Sequence, residues 1–214
     1  MWISIHADSS FTTVRAGSIV QIRDRHFYLV DKIYFYCYNL KMDAMIDIEG
    51  LATGPDTTIL TIACQTFDPL GKGWYEHKFY ARITLESQPD RSIDQGTLEW
   101  WATQPAEARD EAFNEEGRVP LDQALTELHK LCWKCNRIWM NGPTYDANIL
   151  EHAYKSYGMG LPWQFYKIRD TRTVYSLWPD QPIPPTSHHA LEDCRRQIGM
   201  LQNTLRHLNV RELK

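Results

Sequence analysis

The spacing of hydrophobic residues changes along this chain. Before about residue 83, β-prone apolar residues come in short runs separated by polar breaks, which is typical of strands. After residue 97, apolar residues recur every three or four positions, which is typical of helices. Strands are predicted at 44–50, 58–67, 74–83 and 137–142, and helices at 97–113, 119–135, 143–158 and about 189–208. This order predicts an α/β fold with a mixed sheet flanked by helices.

Proline and glycine residues refine the ends of the predicted helices. The segment 97–113 is expected to form one or two short helices around Pro105, because proline interrupts a helix. Pro120 suits the first helical position of the next helix, and Gly158 suits the position just past the end of the helix over 143–158.

The first 41 residues differ in character from the rest and are expected to form a separate N-terminal extension, residues 1–41, ahead of a domain over 42–214. They contain three β-prone pieces, "WISIHA", "GSIVQIR" and "HFYLVDKIYFYCY". Two interpretations stay open. The pieces form a small β-meander, or they are an upstream extension of the reading frame, since Met42 or Met45 would serve as a start.

Length and composition limit the class of protein. A chain of 214 residues with 43% hydrophobic and 23% charged residues is expected to be globular and able to bury a sizeable core. No signal peptide is visible, and the apolar stretch 27–40 is too short to span a bilayer, so we expect a cytoplasmic protein without a membrane partner. The formal net charge of −4 gives no basic surface, although a carboxylate metal site would itself make the sequence acidic. The oligomeric state stays open.

The cysteine pattern does not indicate a metal or redox site. The number of cysteines, five, is odd and forms no small disulfide framework, which favours a reducing compartment. Cys132 and Cys135 form a CxxC pair, but no second ligand pair accompanies it. Both fall on the apolar stripe of the predicted helix over 119–135, so we expect two buried thiols.

Two acidic residues interrupt the apolar strand over 44–50. Because side chains alternate along a strand, Asp47 and Glu49 point to one side while Ile46 and Ile48 point to the other. Adjacent carboxylates repel one another and raise each other's pKa. A divalent cation between them would remove the conflict, and hard oxygen ligands suit magnesium or manganese. The alternative is a strand edge that reaches solvent, with both acids hydrated.

Two further acids stand at the beginnings of predicted helices. Asp146 follows a strand and a Gly-Pro turn, and Asp193 lies one turn into the last helix. Each alone could be a first-turn acid that interacts with the helix dipole. Together with the pair on the strand, and with His188 five residues before Asp193, they are better explained as one site.

The motifs around these acids resemble a known family. "DIE" (47–49), Y-D-x-x-I-L around Asp146 and H-x-x-x-x-D (188–193) are similar to the three motifs of the DEDD 3′–5′ exonucleases of the His subtype. The long stretches 97–109 and 139–177 resemble the exonuclease A type carried by tailed phages, and the resemblance covers about 42–208. It implies a ribonuclease H-like fold and, for a phage-encoded protein, the host cytoplasm.

The resemblance also implies a mechanism. Asp47, Glu49, Asp146 and Asp193 would hold two Mg²⁺ or Mn²⁺ ions, and a histidine general base would activate water for phosphodiester hydrolysis. The family spacing selects His188 for this role, whereas His189 is expected at the start of the helix. His129 and His152 fall on predicted helices and are expected to be surface or packing residues.

Residues expected to contact the substrate lie beside these motifs. Leu51 matches the family position that wedges against the terminal base, and Asn141 and Tyr145 would touch its sugar or phosphate. Gly50 stands where the family usually has threonine, which would loosen contacts to the 3′ nucleotide while removing no metal ligand. For Trp100 and Trp101, base stacking and a core or rim position both stay open.

The expected activity is metal-dependent 3′–5′ hydrolysis of single-stranded ends to nucleoside 5′-monophosphates, with DNA favoured over RNA as the partner. An exoribonuclease on the same fold is the first alternative, because residues that read the 2′-hydroxyl cannot be identified from the sequence. A non-catalytic nucleic-acid-binding module is the second. The presence of all four acids and of His188 argues against it.

Overall fold

The chain divides into two compact units, Met1–Lys41 and Met42–Lys214. A computed structural model describes the backbone of residues 2–7, 10–15, 20–22 and 25–27, and all of residues 42–213. Within the first unit, β1 (Trp2–Ala7) pairs antiparallel with β2 (Ser10–Arg15), and β3 (Val20–Ile22) pairs antiparallel with β4 (Arg25–Phe27). These four described strands form two separate hairpins instead of one meander. Most of "HFYLVDKIYFYCY" lies outside the described residues.

A five-stranded sheet organises the second unit, in the spatial order β7-β6-β5-β8-β9. Its strands are β5 (Asp43–Gly50), β6 (Ile59–Phe67), β7 (Lys78–Arg82), β8 (Ile138–Met140) and β9 (Ile168–Asp170). The first three form an antiparallel meander, whereas β8 runs parallel to β5 and β9 runs parallel to β8. The prediction of a mixed α/β sheet is confirmed. The third strand is shorter than predicted, since it begins at Lys78.

Six α-helices belong to the described part of this unit. They are α1 (Gln95–Ala102), α2 (Ala106–Phe113), α3 (Leu121–Cys132), α4 (Pro143–Ser156), α5 (Thr171–Tyr175) and α6 (Ala190–His207), with short 3₁₀ turns at Leu85–Ser87 and Phe165–Lys167. The break at Pro105 is confirmed, because α1 and α2 lie on either side of it. Pro120 precedes the first helical residue of α3 and is its N-cap, one position before the predicted place. Gly158 follows α4 with a φ of +65°, as its predicted place past the helix end requires.

The two faces of the sheet bury different sets of side chains. Ile46 and Ile48 pack with α3 and α4 on one face. Met45 packs with the apolar stripe of α6 on the other face. Since side chains alternate along β5, Asp47 and Glu49 share the α6 face with Met45. The strand therefore brings its two acids directly under α6.

Both cysteines of the CxxC pair are buried, as predicted. Cys132 ends α3, and Cys135 lies beyond the helix. The Cys132 sulfur lies 3.8 Å from that of Cys64 on β6. Burial raises the pKa of the Cys132 thiol well above its ordinary value, so this thiol is protonated and behaves as an apolar packing group.

Among the described residues, no helix combines the length and apolar character needed to span a membrane.

Candidate active site

Three carboxylates converge on the α6 face of β5. One oxygen from each of Asp47, Glu49 and Asp193 lies within 4.8 Å of the others. Asp47 and Glu49 come from alternate positions of β5, and Asp193 comes from the first turn of α6. Three oxygens at this separation can ligate one cation or bridge two.

Asp146 completes the acidic group from a third element. A left-handed turn at Gly142, with a φ of 107°, ends β8 and allows α4 to begin at Pro143. Asp146 follows in the first turn of α4, and the backbone N–H of Ile48 donates to its carboxylate. Because β8 is parallel to β5, its carboxyl end meets that of β5 at the same edge of the sheet. The structure thus brings together all four acids that the sequence singled out.

Burial and mutual repulsion oppose ionisation of this group. Burial, more than the nearby charge of Asp193, raises the pKa of Asp47 to about 7. Burial and the charges of Asp47, Asp193 and Asp146 raise the pKa of Glu49 well above its ordinary value. The pKa of Asp146 is likewise raised, first by burial and then by Asp47. A divalent cation would relieve both causes, so the donor set fits a metal site.

Asp193 is held by the loop that precedes α6. Its carboxylate accepts hydrogen bonds from the Thr186 hydroxyl (2.7 Å), the His188 backbone N–H (2.9 Å) and Arg196 Nε (2.9 Å). His188 adopts a φ of 54°, in the left-handed region that few residues other than glycine enter. The loop conformation and the position of Asp193 therefore depend on each other.

His188 and His189 point to different surroundings. The His188 ring lies in the cleft, with its centroid 5.0 Å from that of Trp100 in an edge-to-face contact. Burial lowers the pKa of His188, which keeps the imidazole neutral and able to accept a proton near neutral pH. His189 is the N-cap of α6, and its ring lies 4.9 Å from Tyr80. Its Nε2 lies 3.9 Å from a Glu111 oxygen, outside the acidic group.

His129 and His152, the two histidines on predicted helices, do not line the cleft. His129 on α3 packs its ring 6.3 Å from Tyr154, and His152 on α4 lies 3.3 Å from an Arg91 nitrogen. Both are packing or surface residues, as the sequence predicts.

The acids and His188 line a cleft of about 660 Å³, which is within the usual range for ligand sites. Gly50, Asn141 and Tyr145 line it too. Leu51 requires a correction, because its side chain is 3% exposed and packs with Leu60, Trp101, Ala108 and Ala112 instead of facing the cleft. The wedge role would require this cluster to open.

The adjacent tryptophans separate into one buried and one exposed residue. Trp101 is buried, and its Nε1 donates to the Gly50 carbonyl oxygen at 3.1 Å. Trp100 is 43% exposed and lines the cleft beside His188. Trp100, unlike Leu51, therefore presents a large apolar side chain to the cleft.

Sequence reasoning missed four cleft residues that contact or approach the acids: Gln197, Thr186, Arg196 and Arg172. Gln197 Nε2 donates to Asp47 Oδ1 at 2.7 Å, and Thr186 and Arg196 donate to Asp193. The helical spacing could have predicted Gln197, because it follows Asp193 by one turn on α6 and lies on the same face of the helix. Arg172 offers no such signal, because the chain reversal after β9 brings it to the cleft.

The glycine at position 50 is explained by its neighbours. A Cβ added there would lie 2.5 Å from the Thr57 methyl carbon and 3.0 Å from the Tyr145 hydroxyl oxygen. Thr57 is fully buried, and its own hydroxyl has no hydrogen-bond partner among the described residues. Thr57 therefore fills the space beside residue 50, and it does so with its methyl group.

Comparison with known proteins identifies the family. The profile of the 3′–5′ exoribonuclease Rv2179c-like domain matches residues 42–205, which is most of the chain. The chain belongs to this family. It is a DEDD 3′–5′ exonuclease, and the resemblance and the enzyme class predicted from the motifs are confirmed.

Individual relatives agree with this assignment. The exonuclease is 23% identical to the exodeoxyribonuclease of Enterobacteria phage T4 over 205 residues, covering 77% of this chain and 89% of that protein. Its fold resembles E. coli Exonuclease I in complex with a dT13 oligonucleotide (TM-score 0.57, 14% identity, 79% of this chain and 41% of that one). It also resembles the nuclease domain of 3′hExo, a DEDDh family member, bound to rAMP (TM-score 0.56, 11% identity, 78% of this chain and 92% of that one).

These two likenesses confirm the predicted ribonuclease H-like fold. The chain spans less than half the length of Exonuclease I. DEDD exonucleases depend on metal ions, and this exonuclease carries an acidic cluster suited to them.

The raised carboxyl pKa values predict how the metal-free exonuclease responds to pH. Unfolded acids titrate near about 4, whereas Asp47 titrates at about 7 in the folded protein. Between these values the unfolded state loses protons that the folded state keeps, so the free energy of unfolding should fall as pH rises from about 4 to about 7. In EDTA, the thermal unfolding midpoint should be higher at pH 5.5 than at pH 8.

Added Mg²⁺ or Mn²⁺ should raise that midpoint more at pH 8 than at pH 5.5, because the ligands are then ionised. Asp146→Asn should raise the metal-free midpoint at pH 8 and shrink the metal shift. Asp110→Asn, which removes an exposed acid from the middle of α2, is the matched control and should change neither the metal-free midpoint nor the metal shift. A metal shift that is equal at both pH values would contradict the assignment.

The contact between Gly50 and Thr57 predicts a compensating pair of substitutions. Gly50→Thr should lower the free energy of unfolding by about 1–3 kcal/mol, the usual cost of overpacking. Combining it with Thr57→Ala should recover most of that loss, because the obstructing methyl group is gone and no hydrogen bond is broken. Urea denaturation of the double-mutant cycle measures the coupling. Gly160→Thr, at an exposed glycine with open space around it, is the control. Equal losses in the single and double variants would refute this account.

Proposed function

We propose that this exonuclease hydrolyses single-stranded DNA from the 3′ end and releases nucleoside 5′-monophosphates, using two divalent cations and a histidine general base. The observation that carries the proposal is the convergence of Asp47, Glu49 and Asp193 within 4.8 Å, with His188 lining the same cleft. Asp146 adds a fourth carboxylate from α4.

The four acids are the proposed metal ligands. Mg²⁺ and Mn²⁺ are the ions that carboxylate oxygens favour. When bound, the two cations would stabilise the charge that develops on the attacking and leaving oxygens of an in-line displacement. Gln197 orients Asp47 by its 2.7 Å hydrogen bond, and Arg196 and Thr186 orient Asp193 in the same way.

His188 is the proposed general base. Its ring nitrogen accepts the proton of the attacking water, and its lowered pKa keeps it in the accepting form at neutral pH. The edge-to-face contact with Trp100 limits how the ring can turn. His189 is the weaker candidate because its ring lies against Tyr80 and near Glu111.

The remaining cleft residues are proposed to bind the 3′ nucleotide. Asn141 and Tyr145 flank Asp146 and are suited to hydrogen bonds with the sugar or phosphate. The exposed face of Trp100 is suited to stacking on a base, which is tolerant of sequence. We also propose that residues 42–214 are the exonuclease domain, because every residue of the cleft lies within them.

DNA and RNA are both supported by a relative. The likeness to a phage T4 protein named exodeoxyribonuclease supports DNA, whereas the matching family is described as exoribonuclease-like and supports RNA. An exoribonuclease is therefore the second candidate function. The two substrates differ at the 2′-hydroxyl, so a matched pair of oligonucleotides distinguishes them.

The direct test is digestion of 5′-labelled DNA and RNA of one sequence, single-stranded and duplex, with Mg²⁺ or Mn²⁺. We expect stepwise shortening from the 3′ end, fastest on single-stranded DNA, and none in EDTA. Asp146→Asn should abolish shortening, because it removes a metal ligand. Asp122→Asn, which changes an exposed first-turn acid of α3, is the matched control and should retain activity.

Faster shortening of RNA would select the exoribonuclease instead. Intact substrates with both metals, or an active Asp146→Asn variant, would overturn the proposed metal site.

The two histidines give a second prediction. His188→Ala should lower the single-turnover rate by about 10²–10⁴-fold, the range for loss of a general base, and should abolish the acidic limb of the pH–rate profile. His189→Ala should reduce stability at the start of α6 with little change in rate. The rates are measured on a labelled oligonucleotide from pH 5.5 to 9. A severe defect at His189 and a mild one at His188 would reverse the assignment.

A further inference from the structure

Arg172 lies in the acidic cleft but forms no ion pair with any acidic residue that the structure describes. Of the described residues that line the cleft, two are arginines. Arg196 is paired, since its Nε lies 2.9 Å from Asp193 Oδ1. The guanidinium of Arg172 has no acceptor within hydrogen-bond distance among the described residues, although an arginine side chain carries five N–H donors. Those donors are available to a ligand.

The backbone of Arg172 is firmly held. Asp170 caps α5 and accepts hydrogen bonds from the backbone N–H groups of Arg172 and Thr173. Thr171 is fully buried, and its hydroxyl donates to the Met140 carbonyl oxygen at the end of β8 (3.2 Å). The first turn of α5 is therefore fastened to the strand that leads into Asp146.

The Arg172 guanidinium lies against a glycine. A Cβ at Gly142 would lie 3.3 Å from Arg172 Cζ, 3.4 Å from Nη1 and 3.5 Å from Nε. Gly142 also has a φ of 107°, which other residues adopt only with strain. The absence of a side chain there leaves room for the planar guanidinium beside the start of α4.

The position of Arg172 is close to the acids without contacting them. Its charge lowers the pKa of Asp146, as the smallest of several influences on that carboxyl. No carboxylate oxygen of the acidic group lies within 4.0 Å of its nitrogens. A single-stranded nucleic acid that enters this cleft carries a phosphodiester every nucleotide, and a guanidinium matches a phosphate with two parallel hydrogen bonds.

We propose that Arg172 binds the phosphodiester next to the scissile one. This inference rests on the proposed function, in which the scissile phosphate lies at the acidic group. Because the Arg172 nitrogens lie more than 4.0 Å from the oxygens of those four carboxylates, while the side chain lines the same cleft, we assign Arg172 to the next phosphate along the strand instead of the scissile one. The competing explanation is that Arg172 only offsets the negative charge of Asp146.

Arg172 and Trp100 reach the cleft from different parts of the sheet. Arg172 follows the edge strand β9 and lies against Gly142 after β8, whereas Trp101, the neighbour of Trp100, donates to the Gly50 carbonyl oxygen on β5. A single strand in the cleft would then meet an aromatic side chain from α1 and a phosphate-binding cation from α5. This arrangement would favour binding that depends on the backbone rather than on base sequence.

The test compares two substrates with different numbers of phosphates. A nitrophenyl ester of thymidine 5′-monophosphate has the scissile phosphodiester only, whereas an oligothymidylate also has the neighbouring one. Arg172→Gln should lower kcat/KM for the oligonucleotide by about 10- to 100-fold, the range for a hydrogen bond to a charged group. It should change hydrolysis of the ester by less than about twofold. Arg206→Gln, at an exposed arginine near the far end of α6, is the matched control and should affect neither.

A neutral methylphosphonate at the neighbouring linkage provides the second arm. It should reduce wild-type kcat/KM by the same factor as Arg172→Gln, and it should cause no further loss in that variant.

Binding of a fluorescent oligonucleotide in EDTA provides a readout without catalysis. Removing one phosphate contact from a single strand should reduce the slope of log K against log salt by about 0.7. Thermal unfolding verifies that Arg172→Gln is folded. Arg172→Lys keeps the charge but loses the paired N–H donors of the guanidinium, so its loss of kcat/KM for the oligonucleotide should be intermediate.

Three results would overturn the inference. Equal losses on the ester and on the oligonucleotide would assign Arg172 to the scissile phosphate or to charge compensation at Asp146. An unchanged variant, or losses that add fully with those from the methylphosphonate, would remove it from phosphate binding. A wild-type protein that hydrolyses neither substrate would instead reject the proposed function, which separates the two failures.

Discussion

Four carboxylates crowded at one end of β5 are the constraint on which the rest of the site depends. Burial and mutual repulsion raise the pKa values of Asp47, Glu49 and Asp146. Such an arrangement is unfavourable for the metal-free protein, and its natural resolution is a bound cation. The surrounding structure keeps the group together by hydrogen bonds from Gln197 and from the loop before α6. The metal-free protein is therefore less stable at the place where the carboxylates converge, as is expected of a functional site.

Adjacent residues of the same type face different surroundings near this acidic group. His188 and His189 are neighbours, but the left-handed backbone at His188 places its ring in the cleft while His189 begins α6 and packs on β7. Trp100 and Trp101 divide in a similar way, one exposed beside His188 and one buried under Gly50. In both pairs a turn or a helix directs successive side chains to different surroundings. In each pair, one ring therefore lines the cleft while the other packs outside it.

Gly50 shows how a departure from a family pattern can be local repacking. From the sequence alone, a glycine at this position predicts looser contacts to the 3′ nucleotide. In the fold, the space beside it is filled by Thr57, which lies on the loop before β6, and Tyr145 closes it from α4. A threonine methyl group is thus present near the position where the family usually has threonine, supplied by another part of the chain.

The sequence by itself determined those features that depend on local period and on the order of motifs. Alternation along β5 was enough to pair Asp47 with Glu49, Pro105 was enough to divide two helices, and motif order was enough to join four distant acids. The tertiary structure decided whatever depends on contacts between distant segments: the burial of Leu51 under α1 and α2, the exposure of Trp100, and the arrival of Arg172 at the cleft. Local propensity is set by neighbours in the chain, whereas burial and orientation are set by packing between elements that the sequence does not place side by side.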